Sequence, residues 1–176
     1  PGLYKDSEIQ RISSLIKTWI AFEARRQPFQ VISLEKPFRL ELAGIEFDLR
    51  ADRIDLVGEY LILVDYKTGK VNLSQARSDN LKEPQLAAYA LAIRELTGTF
   101  FAQLDAEKPK VTGFSNNDSL DAKLKSVPGI TLDSEREKWS IQLEQIAQDF
   151  VLGKADISPT QGYCANCHLS GFCRIR

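Results

Sequence analysis

The chain of 176 residues has no methionine and a single histidine, His168. It opens on Pro1, and with methionine absent it reads as a segment of a longer protein. No apolar stretch approaches the roughly 20 residues of a membrane-spanning helix, and no signal-peptide pattern stands at the front. Charge of neither sign dominates, with 23 Lys and Arg against 24 Asp and Glu. That balance argues neither for nor against a nucleic-acid partner, because a local basic track can hide in a neutral total. The only cysteines, Cys164, Cys167 and Cys173, all fall at the C-terminal end. An odd number clustered at one end is a poor disulfide framework and a better metal-ligand set, which favours a reducing, cytoplasmic setting. Repeats and low-complexity tracts are also missing. What remains suits one domain with a substantial core, or a core with a small appendage.

The spacing predicts a helix over residues 7–26. Ile9, Ile12, Leu15, Ile16, Trp19, Ile20 and Glu23 recur at three-to-four intervals, and Gln27-Pro28 stops it. A short strand follows over residues 30–34. Residues 38–42 and 45–54 then read as a hairpin around Ala43-Gly44, with Ile45, Phe47, Leu49 and Ala51 alternating. A turn at Val57-Gly58-Glu59 leads into a strand over residues 60–67. After a polar loop over 74–82, Pro84 opens a helix that runs to Leu96. Residues 100–104 and 111–114 form a strand pair, residues 115–133 carry little pattern and are expected to be mobile, and residues 134–152 make an amphipathic helix closed by Gly153. The order is α/β or α+β, a mixed central sheet flanked by helices. The expected division is a core over residues 1–153 and a loose cysteine-bearing tail over residues 154–176, packed on or near that core.

Asp65-Tyr66-Lys67 closes the apolar run Tyr60-Leu61-Ile62-Leu63-Val64. Residues two apart on a strand share a face, so Asp65 and Lys67 stand side by side at the end of a core strand. A carboxylate that holds a divalent ion, two residues from an ammonium, suits hydrolysis of a phosphate diester. By itself the tripeptide also fits an exposed strand end with a surface ion pair. Asp52, on the preceding strand, can approach Asp65 across an antiparallel ladder. Two carboxylates placed opposite one another repel unless a cation lies between them. Solvated hairpin charges are the alternative for Asp52, Arg53 and Asp55. Gln85 and Tyr89, four apart, share one helical face and could support the lysine or contact a DNA phosphate. In isolation they are ordinary first-turn polarity and ordinary core.

Asp52-Arg53-Ile54-Asp55, then Asp65-Tyr66-Lys67-Thr68-Gly69, then Gln85-x-x-x-Tyr89 resembles, in order and spacing, the RecB-type branch of the PD-(D/E)xK nuclease superfamily. Cys164-x2-Cys167-x5-Cys173 resembles the iron–sulfur staple of its AddB-like members. Arg26-Gln27-Pro28-Phe29, Gln85-Leu86-Ala87-Ala88-Tyr89-Ala90 and Cys173-Arg174-Ile175 are similar to stretches of bacterial DNA repair proteins in which a degenerate superfamily I helicase-like region precedes the nuclease domain. The resemblance runs from near Glu8 to the end. It implies a restriction-endonuclease-like core and a Mg²⁺ or Mn²⁺ ion held by Asp52, Asp65 and the backbone carbonyl of Tyr66. It also implies that Lys67 is the catalytic lysine and that Gln85 and Tyr89 form a third motif. A [4Fe–4S] cluster in the parent protein would use Cys164, Cys167 and Cys173 with a fourth cysteine upstream. Linear DNA is the implied substrate, and a helicase or nuclease subunit the implied partner.

Three positions depart from the family pattern. Leu49 stands where a glycine is usual, three residues before Asp52. Nothing in the first helix resembles the His or Glu that normally reaches the metal from there. Only three cysteines are present. The last two departures fit a sequence that begins too late in its parent. For the tail, three thiolates with His168 or water could instead bind zinc, or no metal at all. The function expected is a metal-dependent DNA nuclease domain. Its rivals are a nuclease-like domain that binds DNA or docks a protein without cutting, and a structural zinc-tail protein. Glu35, which recurs in such sequences, receives no chemical role.

Overall fold

Ile62, Leu63 and Val64 are all fully buried, so the strand that carries them has a core on both faces. A computed structural model describes residues 2–79, 81–154, 164, 167, 168 and 170–173. The elements are α1 (Gly2–Glu23), β1 (Gln30–Leu42), β2 (Ile45–Val57), β3 (Tyr60–Lys67), α2 (Gln85–Ala92), β4 (Leu96–Gln103), β5 (Lys110–Ser115), β6 (Leu124–Ser126), α3 (Leu132–Val151) and α4 (Ser170–Cys173). One six-stranded sheet runs in the order β1-β2-β3-β4-β5-β6. β3 pairs with β4 in parallel and β5 with β6 in parallel, while the other neighbours are antiparallel. A parallel pair needs a crossover, and α2 lies on the one between β3 and β4. This is the mixed sheet flanked by helices that the order of elements predicts.

Each face of the sheet has its own core. Leu63, Leu86, Phe101, Phe114 and Trp139 pack between the sheet and the layer of α2 and α3. Trp139 is anchored by its indole N–H, which donates to the Ala76 carbonyl at 2.7 Å. On the other face Phe22 of α1 meets Ile62, Val64, Phe100 and Val111. Among the described residues no helix is long and apolar enough to cross a membrane.

The structure departs from the expected elements in five places. Residues 30–34 and 38–42 belong to one continuous strand, because Lys36 and Pro37 also pair with β2. β1 is an edge strand, and an edge tolerates a proline that has no N–H to donate. The helix expected to reach Leu96 ends at Ala92, with Ile93 extended. Leu96 instead pairs with Leu61, so sheet pairing overrides a favourable helical run. Residues 115–133 are not patternless: β6 adds to β5, Leu120 and Leu124 are buried, and Asp121 bonds Arg26. A three-residue strand and a polar anchor leave no periodicity to read. The first helix also begins earlier, at Gly2, and α3 at Leu132, after a Thr131 cap that accepts from the Ser134 N–H. The expectation of a loose tail over residues 154–176 falls mostly outside the described residues.

Candidate active site

The site is made by a break in β2. Leu49, Ala51 and Ile54 all belong to the core beneath α2 and α3, yet strict alternation would put Ile54 on the opposite face from the other two. Across the ladder, Leu34 pairs with Arg53 and Lys36 with Ala51. Glu35 between them takes a left-handed backbone, φ 49°, which a residue with a Cβ rarely adopts. Glu35 thus stands opposite Asp52, where the faces of β2 switch. After the switch Arg53 turns to the α1 side, where it meets Glu23 and the Tyr66 phenol.

The β2–β3 ladder stops at the pair Arg53–Val64. Beyond it the Asp52 carboxylate replaces the missing strand partner, its Oδ2 accepting from the Tyr66 N–H at 2.8 Å. Lys67 faces the other way, its carbonyl accepting from the Leu104 N–H on the β4 side. Backbone groups alternate sides along a strand, so the Tyr66 carbonyl opens into the same gap as Asp52. Asp65 is 1% exposed. Its Oδ2 lies 2.9 Å from the Lys67 ammonium but has no well-directed hydrogen-bond donor. The Lys67 contact is therefore an ion pair, and the buried oxygen keeps acceptor capacity. Burial, foremost, pushes the Asp65 carboxyl up; Lys67 pulls it down, and the charges of Asp52 and Glu83 push it further up.

α2 completes the arrangement. Gln85, its first residue, accepts from the Lys67 ammonium through Oε1, and its Nε2 stands 3.5 Å from Asp65 Oδ1. Its amide thus spans the lysine and the acid. The Lys67 ammonium also sits 5.1 Å from the centre of the Phe101 ring. Tyr89 donates its phenol proton to the Arg50 carbonyl at 2.8 Å, which ties α2 to β2. Burial, then the charges of Asp65 and Asp52, push Tyr89 up to about 12, so it stays a neutral donor.

Asp52, Asp65, Tyr66, Lys67, Gln85 and Tyr89 are thus gathered at one end of β3. Glu83 was not anticipated. It lines a small depression with Lys67, Lys70, Asn72 and Gln75, and its charge reaches Asp65. The legible signal was an acid directly before Pro84-Gln85. Glu23 is the only carboxylate in the last turn of α1, but it is paired with Arg26 and Arg53 on the opposite face.

The donor set fits a hard divalent cation. Such an ion binds through one or two carboxylates and keeps several waters. Asp52 and Asp65 supply two carboxylates of like charge, the Asp65 Oδ2 lacks a donor, and the Tyr66 carbonyl faces the gap. Cys164 and Cys173 are half-buried and Cys167 exposed, with the Cys167 N–H donating to the Cys164 carbonyl. Among the described residues no three His, Cys, Asp or Glu side chains converge on one metal position.

No curated protein matches the chain. A solved structure titled "Crystal structure of SSO0001" is similar over 93% of this chain and 67% of its own, at 11% identity and a TM-score of 0.43, a likeness too weak to carry an argument. The family described as the PD-(D/E)XK nuclease superfamily matches residues 3–174, a span that takes in both core layers and every residue gathered at the end of β3. The chain belongs to the PD-(D/E)XK nuclease superfamily.

Proposed function

We propose that the chain is a metal-dependent DNA nuclease domain that hydrolyses phosphodiester bonds in repair or recombination, as part of a larger helicase-like protein. The observation that carries this reading is the buried Asp65 carboxylate, set between Asp52 and Lys67 with one oxygen lacking a donor. Asp52, Asp65 and the Tyr66 carbonyl would hold Mg²⁺ or Mn²⁺. When bound, the ion supplies positive charge that polarises the scissile phosphate and makes water a better nucleophile. Lys67 places a fixed ammonium where charge develops on the phosphoryl oxygens, and Gln85 orients that ammonium. Tyr89 holds α2 against β2 and so keeps Gln85 in place. Free ends of linear DNA as substrate, the helicase context and a partner subunit rest on the motif resemblance. An iron–sulfur staple through Cys164, Cys167 and Cys173, with a fourth cysteine upstream, rests on the same resemblance.

A second reading, a nuclease-like module that binds DNA or docks a protein without cutting, draws on the Asp65–Lys67 ion pair, which neutralises the acid without a metal. Cleavage of labelled linear single- and double-stranded DNA by the full-length protein, with Mg²⁺ or Mn²⁺, beside Asp65→Ala, separates the two. Metal-dependent cutting that is lost in the variant is the expected result. Folded protein that binds DNA and never cuts would favour the second reading.

A further inference from the structure

Behind the candidate site, on the α1 side of the sheet, lies a buried cluster of charges. Arg53 Nη2 contacts Glu23 Oε1 at 2.6 Å and Asp55 Oδ2 at 2.7 Å. Arg53 Nη1 donates to Glu23 Oε2 at 2.8 Å and to the Tyr66 phenol oxygen at 2.7 Å. Arg26 locks the same acids from the far side, 3.0 Å each from Glu23, Asp55 and Asp121. Trp19 packs edge-on against the Tyr66 ring at 5.5 Å. Tyr66 is therefore held at both ends: its side chain by Arg53 behind the sheet, its backbone N–H by Asp52 in front. At this point β3 has already lost its ladder to β2. On that side, these two tethers stand in for the missing strand.

We propose that Arg53 is a positioning residue for the metal site. Glu23 and Asp55 fix its guanidinium, and its grip on the Tyr66 phenol sets the Tyr66 backbone and the spacing of Asp52 from Asp65. The proposal rests on the nuclease reading, since it concerns the cation that reading requires. Partners one step removed from a metal commonly change its affinity 10–100-fold when lost, because a site displaced by a fraction of an ångström no longer matches its ion.

Tyr66→Phe is the decisive variant. It deletes one oxygen, keeps the ring against Trp19, and leaves Arg53 bonded to Glu23 and Asp55. Mn²⁺ affinity of the full-length protein is read from the electron paramagnetic resonance of free Mn²⁺, with melting temperature and the Mn²⁺ dependence of DNA cleavage measured alongside. The expected result is a Kd for Mn²⁺ raised about tenfold, a melting temperature near that of the wild type, and cleavage restored by excess Mn²⁺. A purely structural role would lower the melting temperature and leave the Kd unchanged, and that result overturns the proposal. Asp65→Ala separates the two levels of inference. Wild-type protein that binds no Mn²⁺, or binding that survives Asp65→Ala, defeats the nuclease reading and the proposal with it. Asp65-dependent binding that is unchanged in Tyr66→Phe defeats the proposal alone. Should Tyr66→Phe fail to fold, Arg53→Lys, which keeps the charge but not the fork, carries the same comparison.

Discussion

Burial raises Asp65 above its ordinary value of 3.8, Lys67 opposes that rise, and the charges of Asp52 and Glu83 reinforce it. An acid that binds its proton more tightly in the folded state than in the unfolded one weakens the fold as pH climbs from the unfolded pKa through the folded one. Without metal, Asp65→Asn should therefore melt at a higher temperature than wild type at neutral pH. The gap should shrink as pH falls through 3.8, below which wild-type Asp65 carries its proton in both states. Mg²⁺ or Mn²⁺ should stabilise the wild type and not the variant, since a ligand that binds only the native state raises its stability by mass action. Thermal melts across pH, with and without metal, check both signs; a gap independent of pH would contradict the argument. At this scale much was legible. Asp65 and Lys67 share a face because strands alternate, and Gln85 and Tyr89 because helices repeat. Support of the lysine was one of the roles open to the pair; that Gln85 takes it while Tyr89 serves the Arg50 carbonyl was not legible, since it follows from how α2 seats on the sheet.

β3 could be read from sequence because its apolar run starts after a turn and ends in Thr68-Gly69; that it is buried on both faces only the structure shows. β2 is a different case. Its regular pattern through Ala51 predicts continued alternation, and the structure breaks it opposite Glu35 to bring Asp52 onto the face of Asp65. No local signal marks that break, because it is produced by pairing between two strands. β4 and β5 offer a sharper test of how tightly elements meet. A Cβ placed on Gly113 would lie 2.0 Å from the Thr99 carbonyl oxygen and 2.7 Å from the Phe100 Cα. Both are backbone atoms that cannot swing aside. Gly113→Ala should cost about 1–3 kcal/mol, towards the upper end, as overpacking does. Urea unfolding measures it, and an unchanged midpoint would mean that β4 and β5 part locally at no cost.

Arg26 works across the whole molecule. Its guanidinium joins the end of α1, β2 and the segment before β6 through Glu23, Asp55 and Asp121, and it stacks on Phe29 at 4.1 Å. Its side chain is wholly buried. Removing one partner of a buried ion network leaves charges that neither water nor protein compensates, a loss of about 3–5 kcal/mol. Arg26→Ala should lower the urea midpoint by a corresponding amount without changing the slope, as expected if the domain unfolds as one unit. A loss under about 1 kcal/mol would show that the carboxylates take up protons or water instead.

By itself the sequence determined the layered α/β plan, the shared face of Asp65 and Lys67, and the shared face of Gln85 and Tyr89. Hydrophobic periodicity and residue spacing are local properties that the chain carries wherever it folds. Only the tertiary structure decided the rest: the break at Glu35 that turns Asp52, the end of the ladder that frees Tyr66, the arrival of Glu83, and the Arg26–Arg53 cluster behind the sheet. Each of these depends on residues far apart in the chain meeting in a buried place, where a charge must find a partner.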